Sequence, residues 1–138
     1  MVGKLKDQHQ DSLRLLVVED EPDAAQTLAY LLRGQGHEVK VALDAASALA
    51  AVEAEAVDVV LLDIGLPDAD GYEVARRLRR EAQADRRKLR PVIIAVTGHG
   101  DEAERLRAYD AGMDLHLLKP VPPEELERIL NRLQDIRR

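Results

Sequence analysis

Five short apolar runs, spaced almost evenly and separated by segments of helical periodicity, constrain this chain more than any other feature. The runs are Leu13 to Val18 (LRLLVV), Glu38 to Leu43 (EVKVAL), Val57 to Leu62 (VDVVLL), Val92 to Thr97 (VIIAVT) and Asp114 to Leu118 (DLHLL). The second alternates polar and apolar, as a half-covered edge strand does, while the third and fourth have the composition of buried strands. Between the runs lie apolar stripes at helical spacing. They comprise Ala25, Leu28, Leu31 and Leu32; Ala45, Ala48, Leu49 and Val52; then Val74, Ala75 and Leu78. Leu106 and Tyr109 follow, and Leu126, Ile129, Leu130 and Leu133 make the last stripe. The punctuation agrees with this division. Pro22 suits the first turn of a helix that Gly34 and Gly36 stop, and Asp44 suits an N-cap. Asp70 with Glu73, and Asp101 with Glu104, have capping-box spacing, Gly112 ends a helix, and Pro122 and Pro123 precede the last one. Strands alternating with helices predict a parallel sheet covered on both faces, with right-handed crossovers. In such sheets ligands bind beyond the carboxyl ends of the strands, at the topological switch point.

A length of 138 residues suits one domain, taken as residues 13–138 behind a polar, flexible leader of residues 1–12. Aromatic residues make up only 2%, so the core must be aliphatic and alanine-rich, with few platforms for stacking single-stranded nucleic acid. A net charge of −6 disfavours direct binding to a phosphate backbone. The absence of cysteine excludes disulfides and thiolate chemistry. Apolar runs of about five to seven residues fall far short of the roughly 20 that cross a bilayer, and no apolar signal region opens the chain. A cytoplasmic protein without membrane contact is the simplest expectation. The sequence leaves open whether it stands alone or belongs to a longer protein.

Four of the five runs end in groups with chemistry: Glu19 and Asp20 after the first, Asp63 after the third, Thr97 at the end of the fourth, Lys119 after the fifth. The second ends in Leu43-Asp44. Taken alone, Asp63 would pass for a cap or a loop acid; its matched partners at neighbouring strand ends point to function. Three carboxylates in one crevice repel each other and rise in pKa unless a cation joins them. Oxygen ligands suit Mg²⁺, which takes one or two carboxylates together with phosphate oxygens. Lysine adds a point charge for phosphate, a threonine hydroxyl hydrogen-bonds a phosphate oxygen, and an aspartate can attack phosphorus to form an acyl phosphate. Phosphoryl transfer asks mainly for positioning and charge neutralisation, which this set supplies.

The stretches LVVEDEP, LLDIGLPDADGYEV, VTGHG and LLKPVPPEEL together resemble the receiver domain of two-component response regulators, over roughly residues 13–136. The resemblance implies a flavodoxin-like (βα)5 three-layer sandwich with strand order 2-1-3-4-5. It implies phosphorylation of Asp63, direct Mg²⁺ binding by Asp20 and Asp63, a water-mediated role for Glu19, and a backbone ligand from Gly65. Thr97 and Lys119 would contact the phosphoryl group. The phosphoryl donor would be a phosphohistidine on a sensor histidine kinase or a histidine phosphotransfer domain, and the receiver would pass the signal to an unknown downstream protein as a monomer or weak homodimer. Self-dephosphorylation would be at most a weak activity of the same site, with Gly65 and His99 flanking the water path. Two positions depart from the common pattern. Glu19 stands where Asp is usual, and His116 stands where a Tyr or Phe usually acts as a switch with the Thr97 position. The TGHG and LHLLKP phrasing is similar to receivers joined to hybrid histidine kinases.

Plainer readings apply elsewhere. Glu21 is a helix-start acid favoured by the macrodipole. His116 is a partly buried structural side chain on residue type alone, and the Arg76–Arg90 cluster is a solvated helix face. The four histidines (9, 37, 99 and 116) have no metal-ligand spacing, and Gly98-His99-Gly100 lacks the third glycine of a dinucleotide fingerprint. A flavodoxin-like enzyme would need a stacking aromatic near the switch point, but Tyr30, Tyr72 and Tyr109 all fall on predicted helices. A pseudo-receiver acting only as a protein scaffold is the remaining alternative, and it has no need of the acidic cluster.

Overall fold

The computed structural model describes residues 12–84, 90–98 and 102–136. The leader, apart from Ser12, and His99 and Asp101 therefore lie outside the described residues, as does part of the Arg76–Arg90 cluster. Strands and helices alternate: β1 (Arg14–Val18), α1 (Pro22–Gly34), β2 (Glu38–Ala42), α2 (Ala45–Ala54) and β3 (Val59–Asp63) make the first half. Then follow α3 (Gly71–Ala84), β4 (Val92–Thr97), α4 (Glu102–Asp110), β5 (Leu115–Leu118) and α5 (Pro123–Ile136). The strands form one parallel sheet in the order β2-β1-β3-β4-β5, which is the flavodoxin-like arrangement the resemblance implies.

Side chains alternate across the pleat, so each strand feeds two cores. Leu16, Val18, Val60, Leu62, Ile93 and Ala95 pack on one face with α2 and α3. Leu15, Val17, Val59, Leu61 and Ile94 pack on the other with α1 and α5. This explains why the central strands are apolar at nearly every position. Tyr72 is the single aromatic in the buried set, as a chain without Phe or Trp requires. Edge strand β2 alternates as expected, with Val39 and Ala42 buried and Glu38 and Lys40 exposed.

Helix starts follow local capping chemistry. Glu21 caps α1, its carboxylate accepting from the Asp23 and Ala24 N–H groups. Asp44 accepts from the Ser47 N–H at 2.8 Å, as its N-cap position predicts. Asp70 accepts from the Tyr72 N–H at 2.9 Å, so the cap of α3 is real. The reciprocal half of the box is replaced, because the Glu73 carboxylate pairs with Arg76 and Arg80 on the helix surface. Glu104 accepts from the Tyr72 hydroxyl, and its box partner Asp101 lies outside the described residues.

The Arg76–Arg90 cluster requires a correction. Arg79 is buried, donating to the Gly112 carbonyl at 2.9 Å and also to the Pro91 carbonyl and the Asp114 carboxylate. It closes the end of the sheet opposite the strand-end acids, whereas Arg76 and Arg80 are exposed as expected.

Candidate functional site

The strand order sends the chain left from β1 to β2 and then right to β3, so the crevice opens between the carboxyl ends of β1 and β3. Parallel register places Val18 beside Leu62, which brings Glu19 and Asp20 level with Asp63. The ladder continues past the strand ends: the Glu19 N–H donates to Ala42, Ile64 to Val96 and Lys119 to Thr97. These bonds hold the backbone of all four functional segments in one plane of the sheet.

Within the crevice, carboxylate oxygens of Glu19, Asp20 and Asp63 lie within 4.8 Å of one another. The Lys119 ammonium donates to Asp63 Oδ2 at 3.1 Å and to Glu19 Oε1 at 3.2 Å. It reaches there across 56 and 100 residues of sequence, from the position just after β5. Asp63 Oδ1 accepts from the Gly65 N–H at 3.0 Å, which folds the loop back over the carboxylate. Thr97 is buried at the end of β4, one position beyond Val96, the register partner of Asp63.

The electrostatics of this group are those of a site short of positive charge. Burial raises Glu19, and its hydrogen bond to Asp63 and the charge of Asp63 add to this, taking it to about 7 against the pull of Lys119. Burial also lifts Asp63, but the hydrogen bonds from Glu19, the Gly65 N–H and Lys119 outweigh it and hold Asp63 below the usual carboxylate range. Burial lowers Lys119, yet its bonds to Asp63 and Glu19 leave it raised and charged. One lysine cannot neutralise the cluster, so proton binding at Glu19 is favoured until a divalent cation takes its place. An all-oxygen donor set of three carboxylates, partly open to solvent, fits Mg²⁺.

His116 lies on β5 beside Ala95, half-buried, with its Nε2 enclosed and without a hydrogen-bond partner among the described residues. Tyr30, Tyr72 and Tyr109 are on α1, α3 and α4, as their spacing predicts. Two neighbours of the crevice have no counterpart in the sequence reading. Asp68, from the loop after β3, accepts from the Ala45 N–H at 2.9 and 3.1 Å and caps α2 from a distance of 23 residues. Gly71 lies so close to the Ile64 backbone that a Cβ there would be 2.6 Å from the Ile64 Cα. Only the short Asp-rich spacing LPDADG hinted at either.

A doubly wound parallel sheet with an acidic crevice and a lysine at its switch point defines a flavodoxin-like α/β protein built around strand-end carboxylates. The chain belongs to the response regulator receiver domain family, whose description matches residues 15–131. It is similar to the transcriptional regulatory protein TcrA of Mycobacterium tuberculosis, 41% identical over 114 residues, which covers 83% of this chain and 43% of TcrA. The chain thus spans less than half the length of that relative. Among solved structures it resembles the receiver domain of sensor histidine kinase PA1611 from Pseudomonas aeruginosa, described with a magnesium ion coordinated in its active-site cleft. That match has a TM-score of 0.76 and 33% identity, over 90% of this chain and 98% of that one. The BeF3-activated DrrB receiver domain matches with a TM-score of 0.77 at 28% identity, over 90% and 98% of the two chains.

Proposed function

We propose that this chain is a phosphoacceptor signalling module in which Asp63 takes a phosphoryl group from a phosphohistidine on a sensor histidine kinase or phosphotransfer domain. A carboxylate oxygen of Asp63 forms the new O–P bond as the N–P bond of the donor breaks and the imidazole departs. Asp63, with its carboxyl held ionised, is the nucleophile. Lys119 moves with the charge from the carboxylate to the incoming phosphoryl oxygens. The Thr97 hydroxyl donates a hydrogen bond to one of those oxygens. Asp20 and Asp63 would hold Mg²⁺ directly, Glu19 through water and Gly65 through its carbonyl. The ion would neutralise charge on the transferring group. Self-hydrolysis is at most a weak activity of the same site, with its rate set at Gly65 and His99. A cytoplasmic location fits the donor proposed, and no described helix is long and apolar enough to cross a membrane.

The observation that carries this reading is the meeting of three carboxylates within 4.8 Å with the Lys119 ammonium 3.1 Å from Asp63, at the switch point. A scaffold that bound partners without phosphorylation would have no use for a raised Glu19 beside an ionised Asp63. The reading is tested by incubation with acetyl phosphate and Mg²⁺, followed by intact-mass measurement. One added phosphoryl group is expected, not formed when Mg²⁺ is chelated beforehand and absent in Asp63→Asn. An adduct that survives Asp63→Asn, or none in the wild type, overturns it.

A further inference from the structure

How α4 is held to the rest of the molecule sets it apart from the other helices. Ala108 is its one buried side chain, while Leu106 and Tyr109 are 54% and 43% exposed. With so thin an apolar anchor, a polar grip takes over. Glu104 accepts from the Tyr72 hydroxyl at 3.1 Å, and the Arg107 guanidinium lies 4.2 Å above the Tyr72 ring. Arg107 also pairs with Asp70 at 3.3 Å, and Asp70 in turn caps α3 through the Tyr72 N–H. Glu104 and Arg107 are three residues apart, so both project from the same side of α4. The Arg107–Asp70 pair alone is exposed and weak, but the tyrosine is 3% exposed and its hydroxyl requires a partner.

The other end of this grip reaches the acidic crevice. Tyr72 follows Gly71, and Gly71 is pressed on the Ile64 backbone with no room for a methyl group. Ile64 follows Asp63 and is tied to β4 by its N–H to the Val96 carbonyl. A shift of the loop after Asp63 therefore has no slack to absorb it before it reaches Tyr72. Position 116 offers no comparable hook, since the His116 Nε2 is enclosed without a partner among the described residues.

We propose that the Asp70–Tyr72–Glu104–Arg107 cluster is the joint through which α4 follows the state of Asp63. The inference rests on the phosphoacceptor reading above, and each step of the route is a direct contact. It is tested with the ¹⁵N-labelled chain titrated with beryllium fluoride in Mg²⁺. The Gly65 amide reports the site, and the Leu106, Ala108 and Tyr109 amides report α4. Arg107→Ala removes a surface side chain, and Tyr72→Phe keeps the ring and removes only the hydroxyl, so both variants retain the core. The expected result is an unchanged Gly65 response in both variants, with the α4 response reduced about two- to fivefold, the range one such contact allows. A wild-type α4 response in both variants overturns the joint and leaves the phosphoacceptor reading standing. No Gly65 response in the wild type overturns both.

Discussion

Arg79 is where residue-level reasoning from sequence and the folded molecule part most clearly. Surrounded by Arg76, Arg77 and Arg80, it looks like one more solvated cation, yet it is 7% exposed and binds three acceptors from two other segments. The signal was present in the spacing: Ala75, Leu78, Arg79 and Ala82 are all buried, so Arg79 occupies a core position of the α3 stripe. Its planar fork suits the task, because a carbonyl on either side and a carboxylate at the tip demand donors in fixed directions. Asp114 completes the arrangement by also accepting from the Ile93 N–H at 2.8 Å. Replacing Arg79 by Ala removes one donor from a carboxylate and two carbonyls and is expected to cost about 2–4 kcal/mol. Urea unfolding would measure this, and Arg79→Lys is expected to recover only a minor part. The acids at the strand ends were legible by contrast, not singly but as a set, because functional groups close four of the five apolar runs.

Among the elements, α3 shows how a helix can be positioned by an absent side chain. Its first residue, Gly71, meets the Ile64 Cα and carbonyl oxygen at 2.6 and 2.7 Å from where a Cβ would stand. Backbone cannot rotate away as a flexible side chain can, so Gly71→Ala must move either the helix or the loop. Overpacking of this kind is expected to destabilise by about 1–3 kcal/mol. Because the loop includes Gly65, the same variant should bind Mg²⁺ more weakly, read as a higher midpoint in titrations followed by the Gly65 amide. Unaltered Mg²⁺ binding in a folded Gly71→Ala would mean that loop and helix move independently. The loop is held from its other side by Asp68, which reaches the start of α2. Caps of this long-range type escape sequence inspection, because the carboxylate and the helix it serves are 23 residues apart.

At the scale of the whole molecule, one buried histidine ties the start of β1 to the turn between α1 and β2. His37 is 7% exposed, and its Nδ1 accepts from the Leu13 N–H at 3.2 Å, which requires the neutral ring protonated at Nε2. Burial lowers its pKa below 6.5, outweighing the nearby Glu127 carboxylate on α5, which raises it. The unfolded chain therefore takes up a proton at a higher pH than the folded one. The stability this provides is complete above about pH 6.5 and declines as pH falls below it. Glu19, raised to about 7, acts in the opposite direction over the same range, so the decline is read as the difference between wild type and a His37 variant in thermal unfolding between pH 7.5 and 5. His37→Asn, which keeps an acceptor near the Nδ1 position but does not titrate, should flatten it. Equal slopes for the two proteins would remove His37 as the cause.

The sequence by itself determined the alternation of five strands and five helices, the parallel sheet, and which residues end the strands. These follow from periodicity and from the types of residue at each boundary, both local properties of a chain. Glu19, Asp20, Asp63, Thr97 and Lys119 were legible because the parallel topology gathers strand ends whatever the details of packing. Only the tertiary structure decided that Glu19 is raised beside Asp63 against the pull of Lys119, because that depends on burial and on a contact across 100 residues of sequence. It alone decided that Arg79 is core, that Asp68 caps a distant helix, and that α4 hangs on Tyr72. Each of these is a contact between polar groups from separate elements, and no periodicity along the chain encodes such a meeting.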